Sequence, residues 1–252
     1  NRLAQDAGLA LGPRGHIVTD EHLRTSDPDI YAVGDAIQVI NPVTQAPCAV
    51  PLAGPANRQA RIAADHITGD AEARYRGTLG TSIVKVFDLT VATTGTNARG
   101  LEAAGIPFAA SVTHSQDHVT YYPGATEQSI RLLYRPEDGR LLGAQIIGYS
   151  AVDRSIDALA VALQAGLTVY DLEHLELAYA PPYGAAKDPV NVAGYVAANR
   201  LRGATRMVEW QELARLQEEG VGILDVRAAV EFDLGHLPGA VSIPHTELRA
   251  RL

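Results

Sequence analysis

The sequence contains very little cysteine, and this scarcity limits the chemistry that the chain can perform by itself. Among its 252 residues, Cys48 is the single cysteine. One thiol cannot form an internal disulfide, nor can it build a zinc site that needs several cysteines. We therefore predict no metal site, and we expect a reducing, cytoplasmic environment.

Long apolar runs and clusters of basic residues are absent from the sequence too. No stretch approaches the ~20 consecutive apolar residues of a membrane span. The segment from Asn1 to Asp6 lacks a charged start that is followed by an apolar stretch, as a targeting signal would have. The formal net charge is −8, so phosphate backbones and anionic membrane surfaces would be repelled. We expect neither nucleic acid nor a membrane as a partner.

What the sequence does contain is enough apolar material for true hydrophobic cores. Hydrophobic residues make up 46% and charged residues 20% of the chain, which suits one large or two ordinary domains. The chain opens within a helix-like apolar pattern and closes on Leu252 without a turn or tail. From these ends we expect a piece of a longer protein.

The first region, residues 1–75, is predicted to combine short strands with one helix. Residues 16–19 and the apolar run 30–33 are predicted strands, and the second of them ends at Gly34-Asp35. A carboxylate at the carboxyl end of a strand lies where open α/β sheets bind their ligands. The apolar spacing then predicts a helix over 56–67.

The second region, residues 76–202, is predicted to be an α+β domain because its strands come first and its helices follow. The turn signal at 136–139 predicts a hairpin. The predicted strands are 81–94, 108–114, 128–134 and 141–148, and the predicted helices are 153–165, 171–177 and 189–201. The apolar faces of the first and last of these helices exceed what one sheet covers, so we expect a second subunit to cover them.

The segment 25–35 carries the most specific signal in the sequence. It reads Thr-Ser-Asp-Pro-Asp-Ile-Tyr-Ala-Val-Gly-Asp and resembles the second FAD fingerprint of the flavoprotein pyridine nucleotide-disulfide oxidoreductases. The resemblance implies that Asp35 accepts a hydrogen bond from the ribityl chain of FAD and that Gly34 lets the backbone approach it. The alternative is a structural carboxylate in a turn.

The segment 50–60 also resembles this family. It reads Val-Pro-Leu-Ala-Gly-Pro-Ala-Asn-Arg-Gln-Ala and matches a helix whose N-terminus points at the flavin, which makes Leu52 and Ala53 backbone contacts. A helix N-terminus carries unpaired N–H groups and about half a positive charge, which stabilises the anion of a reduced flavin. The redox cysteine of the family precedes these segments, so Cys48 is interpreted as a half-buried, unreactive thiol.

Two tyrosine motifs point to one branch of the family. Residues 121–125 (Tyr-Tyr-Pro-Gly-Ala) and 179–184 (Tyr-Ala-Pro-Pro-Tyr-Gly) resemble the single-cysteine branch that includes coenzyme A disulfide reductases and NAD(P)H-dependent persulfide or polysulfide reductases. The resemblance implies that Tyr121 and Tyr179 reach the redox site of the other subunit and donate hydrogen bonds to a developing thiolate. Plain packing is the alternative for both. Lys187 is a weaker candidate, for a phosphate of coenzyme A.

The third region, residues 203–252, is predicted to contain a helix over 208–219, a strand over 222–226 and a helix over 228–234. Its sequence from 223 to 244 resembles the N-terminal half of a rhodanese domain, whose cysteine loop would come after Leu252. About 45 residues are too few for a self-sufficient core without disulfides or a metal. We therefore expect only the beginning of a rhodanese-like domain.

These features predict a chain of mixed α/β and α+β class. It would hold part of an FAD-binding α/β domain (1–75), an α+β dimerisation domain (76–202) and the start of an α/β rhodanese domain (203–252). The resemblance implies a homodimeric, FAD-dependent and NAD(P)H-linked reductase of coenzyme A disulfide, coenzyme A persulfide or polysulfide, with its redox cysteine outside this chain. NADH and NADPH both stay open. The alternatives are an isolated dimerisation module without flavin, and an NADH oxidase or peroxidase of the same family.

Overall fold

The computed structural model describes residues 1–251, except for the side chain of Gln211. It divides the chain into two compact units, with the boundary in the sequence between Ala204 and Thr205. No helix in the described part of the chain is both long and apolar enough to cross a membrane.

The first 75 residues contain two helices and little regular sheet. The elements are helix α1 (Arg2–Asp6), a 3-10 turn (Gly34–Ala36), strands β1 (Val39–Ile40) and β2 (Pro47–Cys48), and helix α2 (Ala53–Ile67). Strands β1 and β2 pair antiparallel. A small core forms around Leu23, Ile37, Val39 and Ala63.

The two strands predicted in this region, 16–19 and 30–33, do not form. Within the described residues, these segments make only isolated bridges, through Ile17 and Tyr31. A strand is stabilised by a neighbour along its whole length and by side chains packed on a covered face. Ile30 and Val33 remain exposed, so the apolar run 30–33 lacks that cover.

A five-stranded antiparallel sheet forms the centre of the first unit. Its strands are β3 (Ser82–Val86), β4 (Leu89–Gly95), β5 (Ala109–Gln116), β6 (Glu127–Tyr134) and β7 (Leu141–Gly148), in the order β3-β4-β7-β6-β5. The predicted hairpin at 136–139 is confirmed, because β6 and β7 pair directly across it. Gly139 supplies the left-handed backbone of that turn, with φ +75°. Helix α3 (Ala98–Ala103) follows β4.

Helices α4 (Val152–Gln164), α5 (Val169–Leu172) and α6 (Pro189–Leu201) cover one face of this sheet. The predicted α+β class with an antiparallel sheet is thereby confirmed. The side chains buried most completely between the helices and the sheet include Ile130, Leu132, Tyr134, Ile146, Ile156 and Leu159. Helix α5 starts and ends earlier than the predicted helix 171–177, because Thr168 and Asp171 form a capping box at its start.

The uncovered apolar surface lies on the sheet, whereas the sequence analysis predicted it on the helices. The apolar faces of α4 and α6 are buried within the chain itself, so the expectation for these two helices is wrong. The exposed apolar side chains alternate instead along the opposite face of the sheet, which we call the open sheet face: Val84, Val86, Leu89, Val112 and Ile147.

The second unit contains short elements and no described residue that is fully buried. Its elements are a 3-10 turn (Trp210–Glu212), helices α7 (Leu213–Glu218), α8 (Ala229–Leu234) and α9 (His245–Arg251), and strands β8 (Leu224–Asp225) and β9 (Val241–Ser242). β8 and β9 pair in parallel. The predicted helix over 208–219 is split into the 3-10 turn and α7, and the predicted strand over 222–226 shrinks to β8. The predicted helix over 228–234 corresponds to α8.

Candidate functional site

The Gly34-Asp35 turn is tied to helix α2. Gly34 has φ +75°, in the left-handed region that favours glycine. Its N–H donates a 2.7 Å hydrogen bond to Oε1 of Gln59, a buried side chain on α2. The Asp35 carboxylate is exposed and accepts no hydrogen bond from any residue that the structure describes. The turn therefore presents a fixed backbone and a free anionic acceptor.

The N-terminus of α2 presents free donors beside this turn. Leu52 is the N-cap residue and Ala53 the first helical residue, with no side chain capping them. The helix begins three residues before the predicted start at 56, since Pro55 is tolerated in a first turn. In the described part of the chain, the N–H groups of Ala53 and Gly54 have no acceptor. A groove of about 1160 Å³ opens at these residues.

Tyr121 and Tyr179 are brought together on the surface although 58 residues separate them in sequence. Their hydroxyl oxygens lie 3.4 Å apart, and the residues are 75% and 47% exposed. The hydrogen bond to Tyr121, followed by partial burial, raises the pKa of Tyr179. A hydrogen bond between two phenols uses one of their two hydroxyl hydrogens, so the pair keeps one O–H that can donate to a ligand.

A buried carboxylate that the sequence analysis missed anchors the loop of Tyr121. Asp117 is buried, and its Oδ1 accepts hydrogen bonds from the N–H groups of His118 (2.9 Å) and Thr126 (2.8 Å). Burial tends to raise the pKa of this carboxyl, but the hydrogen bonds from Thr126 and His118 outweigh it and the pKa is lowered. The signal in the sequence is an aspartate directly before the tyrosine-containing turn.

Lys187 and Cys48 are the two remaining residues that the sequence analysis discussed. Lys187 is exposed, and its ammonium forms no ion pair with a residue that the structure describes. Cys48 lies in β2 rather than in a loop, packed against the small core around Ile37, and burial raises the pKa of its thiol. A raised pKa disfavours the reactive thiolate. Across residues 1–251, no group of three or more His, Cys, Asp or Glu side chains is placed to hold a metal ion.

Comparisons with known proteins bear on all three regions of the chain. The model of the family described as pyridine nucleotide-disulphide oxidoreductase matches residues 1–53, and the model of its dimerisation domain matches residues 81–188. The chain belongs to this family. A rhodanese-like domain model matches residues 209–252 of the same oxidoreductase chain.

The oxidoreductase is similar to curated coenzyme A disulfide reductases. It is 35% identical to that of Staphylococcus haemolyticus and 36% identical to that of Staphylococcus aureus strain bovine RF122 / ET3-1, in each case over 197 residues. These matches cover 78% of this chain and 44% of each relative. The chain thus spans less than half the length of these curated relatives.

Solved structures resemble the oxidoreductase over almost its whole length. The reduced Bacillus anthracis protein CoADR-RHD has a TM-score of 0.95 and 49% identity, covering 99% of this chain and 45% of that one. A NAD-dependent persulfide reductase from A. fulgidus has a TM-score of 0.93 and 38% identity, covering 100% and 45%. The water-forming NADH oxidase of Lactobacillus brevis, at 24% identity, a TM-score of 0.76 and coverage of 82% and 46%, shares the fold.

Proposed function

We propose that the whole protein carrying this chain is an FAD-dependent NAD(P)H:disulfide oxidoreductase that reduces coenzyme A disulfide, coenzyme A persulfide or polysulfide. The observation that carries the proposal is the exposed pair Tyr121 and Tyr179, whose hydroxyls lie 3.4 Å apart. Its support comes from relatives named coenzyme A disulfide reductase and persulfide reductase. The redox cysteine of the reaction would lie outside the present chain.

The residues around Gly34 and the start of α2 fit one part of FAD. The exposed Asp35 carboxylate has no partner among the described residues, so it can accept a hydrogen bond from a polyol hydroxyl. The free N–H groups of Ala53 and Gly54 and the positive end of α2 suit the electron-rich edge of a flavin ring, with Leu52 in the N-cap position. When bound, FAD would supply the transfer of electrons from NAD(P)H to the disulfide.

The tyrosine pair would assist the departure of a thiolate. When a disulfide is reduced, one sulfur leaves with a negative charge, and a phenol hydroxyl can donate a hydrogen bond to it. A tyrosine hydroxyl is protonated near neutral pH and can therefore donate. We infer that Tyr121 and Tyr179 serve the redox site of the other subunit.

The same proposal includes a homodimer formed through residues 76–202. The open sheet face is the apolar surface of the sheet that helices α4 and α6 leave uncovered. Exposed apolar side chains gathered on one face of a sheet are typical of an interface between subunits. A stable monomer at micromolar concentration in sedimentation would contradict this part of the proposal. The boundaries at residues 75 and 202 remain predictions.

Lys187 is the residue that would meet a phosphate of coenzyme A. Lys187 offers an exposed ammonium that pairs with none of the residues that the structure describes, and it follows the Tyr179 loop in sequence. An ammonium without an ion pair can meet a phosphate group without first breaking another contact. The rhodanese-like match at residues 209–252 favours sulfane sulfur as the chemistry of the substrate.

The deciding experiment combines an absorbance scan with a substrate panel on the whole protein. Absorbance near 450 nm reports bound flavin, and its absence would favour a dimerisation module without cofactor. NADH and NADPH consumption would then be followed with coenzyme A disulfide, coenzyme A persulfide or polysulfide, and with oxygen alone. Consumption that requires a sulfur substrate supports the proposal, whereas equal consumption with oxygen alone would favour an NADH oxidase.

A further inference from the structure

The loop that carries Tyr179 has few hydrogen bonds of its own. Between α5 and α6, the segment 178–184 contains two internal backbone hydrogen bonds, from the N–H groups of Tyr183 and Gly184 to the carbonyl oxygen of Ala180. Tyr179 and Tyr183 are exposed, so packing of their rings does not fix them. The position of the loop must therefore depend on contacts from outside it.

Arg154 supplies those contacts from the first turn of α4. Its Nη1 donates a 2.7 Å hydrogen bond to the carbonyl oxygen of Tyr183 and a longer one, 3.5 Å, to that of Ala178. Its Nη2 donates to Oδ2 of Asp188. The planar fork of a guanidinium can serve three acceptors in one plane, which an ammonium cannot reproduce.

Asp188 connects this guanidinium to the helix that follows the loop. The carboxylate is buried, and its Oδ1 accepts a 3.0 Å hydrogen bond from the N–H of Val190 as the N-cap of α6. Both α4 and α6 belong to the buried core of the first unit. Arg154 therefore ties the Tyr179 loop to two rigid helices.

Gly184 makes the close approach possible and extends the connection to Tyr121. A side-chain carbon at this position would lie 3.2 Å from Nη1 of Arg154, tighter than an ordinary contact. The carbonyl oxygen of Gly184 accepts a 3.1 Å hydrogen bond from the N–H of Val119, two residues before Tyr121. The backbone next to Tyr121 is thus linked to the loop that Arg154 holds.

We propose that Arg154 is a positioning residue that sets the distance between the hydroxyls of Tyr121 and Tyr179. It does so by holding the carbonyl groups of the 178–184 loop, which in turn holds Val119. The inference rests on the proposed function only for its effect on turnover, because the geometry of the tyrosine pair can be measured without any substrate.

The test uses Arg154→Lys in the whole protein, since lysine keeps the positive charge beside Asp188 but loses the fork. Arg202→Lys is the matched control, because Arg202 pairs bidentately with Glu173 and makes no contact with the tyrosine loops in the described residues. We expect kcat to fall about 10-fold with an unchanged KM for NAD(P)H, as small misplacements of catalytic groups do. Arg202→Lys should keep the wild-type kcat.

A second readout follows the tyrosines directly. Tyrosine labelled with ¹³C at Cζ gives one NMR signal per residue, and Tyr179→Phe assigns the signal of Tyr179. In Arg154→Lys we expect the pKa of Tyr179 to move down toward that of an isolated tyrosine, because its hydrogen bond to Tyr121 is lost. A purely structural role for Arg154 would lower the melting temperature and leave this titration unchanged.

The two readouts separate the two proposals. If the wild-type protein reduces no sulfur substrate, the proposed function fails, and the Tyr179 titration alone then decides the role of Arg154. If Arg154→Lys has the wild-type kcat or the wild-type Tyr179 titration, the inference about Arg154 is overturned. Should Arg154→Lys fail to fold, the variant Gly184→Ala, which crowds the same guanidinium, must change the Tyr179 titration.

Discussion

The first unit, which contains the five-stranded sheet and is called the sheet domain below, and the second unit, the C-terminal segment from Thr205 onward, both expose aromatic residues. The exposure has a different interpretation in each. The sheet domain buries a continuous core that includes Leu132 and Tyr134. The C-terminal segment has no fully buried residue in its described part, and Trp210 is 78% exposed there. Tyr121 and Tyr179 are exposed although their unit has a complete core, which agrees with the binding role proposed for them, whereas Trp210 lies in a segment without such a core.

The largest expected effect is on stability, and it tests where the core lies. Leu132→Ala should lower the free energy of unfolding by about 2–5 kcal/mol, because it leaves a cavity at a fully buried position. Leu234→Ala is the matched change in the C-terminal segment, where Leu234 is 86% exposed, and it should change stability by less than about 0.5 kcal/mol. Chemical denaturation of both variants measures the difference, and equal losses would contradict the comparison.

The next effect concerns turnover. Tyr121→Phe and Tyr179→Phe each keep the ring and remove the hydroxyl, so we expect about 2–4 kcal/mol of lost transition-state stabilisation, a fall of roughly 30- to 1,000-fold in kcat. Melting temperatures should hardly change, because both rings are exposed. Trp210→Phe is the control for an exposed aromatic and should leave kcat unchanged. Near-normal kcat in both tyrosine variants would assign these residues to packing.

An in-trans role of the tyrosines has its own test. A heterodimer of a Tyr179→Phe subunit and a subunit without the redox cysteine would contain one intact site. Activity near half of the wild-type value, with the heterodimer verified by mass, is the expected result. No recovery would place the tyrosines in the site of their own subunit.

A smaller effect is expected for flavin retention. Asp35→Ala removes a charge-assisted hydrogen bond worth about 1.5–3 kcal/mol, or roughly 10- to 150-fold in affinity. Flavin remaining after dialysis, read by absorbance, measures this loss. Asp233→Ala removes an exposed carboxylate from the C-terminal segment and should retain flavin like the wild type. The assignment of Asp35 does not survive if both variants retain flavin equally.

The smallest effect is a pH dependence of stability. The pKa of Asp117 is lowered in the folded protein, so its contribution is fully present above its unfolded value of 3.8 and is lost as the pH falls through the folded value. Asp117→Asn should therefore flatten the decline in stability below about pH 4. Asp225, whose pKa is lowered by Arg227, is the comparison residue in the C-terminal segment. Denaturation midpoints between pH 2 and pH 6 would test this, and an unchanged slope in Asp117→Asn would contradict it.

The elements predicted correctly from the sequence are those marked by a regular apolar period or by a local turn or cap signal. The strands β5 to β7 and the helix over 189–201 follow from apolar periodicity and from turn and cap signals, and they form as expected. The strands predicted at 16–19 and 30–33 fail because periodicity does not reveal whether a neighbouring strand is present. The bounds of α5 differ from the prediction because a capping box, which periodicity does not report, sets its start. Helix α2 begins before residue 56 because Pro55 is tolerated in a first turn.

The candidate site was predictable only in part. Gly34, Asp35, Leu52 and Ala53 stand in contiguous motifs, so the sequence could nominate them. Tyr121 and Tyr179 could be paired only through a resemblance, since 58 residues separate them. Arg154 was not predicted because two of its partners are backbone carbonyls, which no sequence pattern marks, and the third, Asp188, lies 34 residues away.

The edge position of strand β3 affects the solubility of the newly made chain before its subunits assemble. The strand lies at the edge of the sheet, where no other described strand pairs with its outer side, and Ile83, Val84 and Val86 are exposed along it. Such an edge can add a strand from another molecule and start aggregation. Lys85, in the middle of the strand, places a charge where a foreign strand would pair. Solubility before assembly would therefore depend strongly on this one lysine.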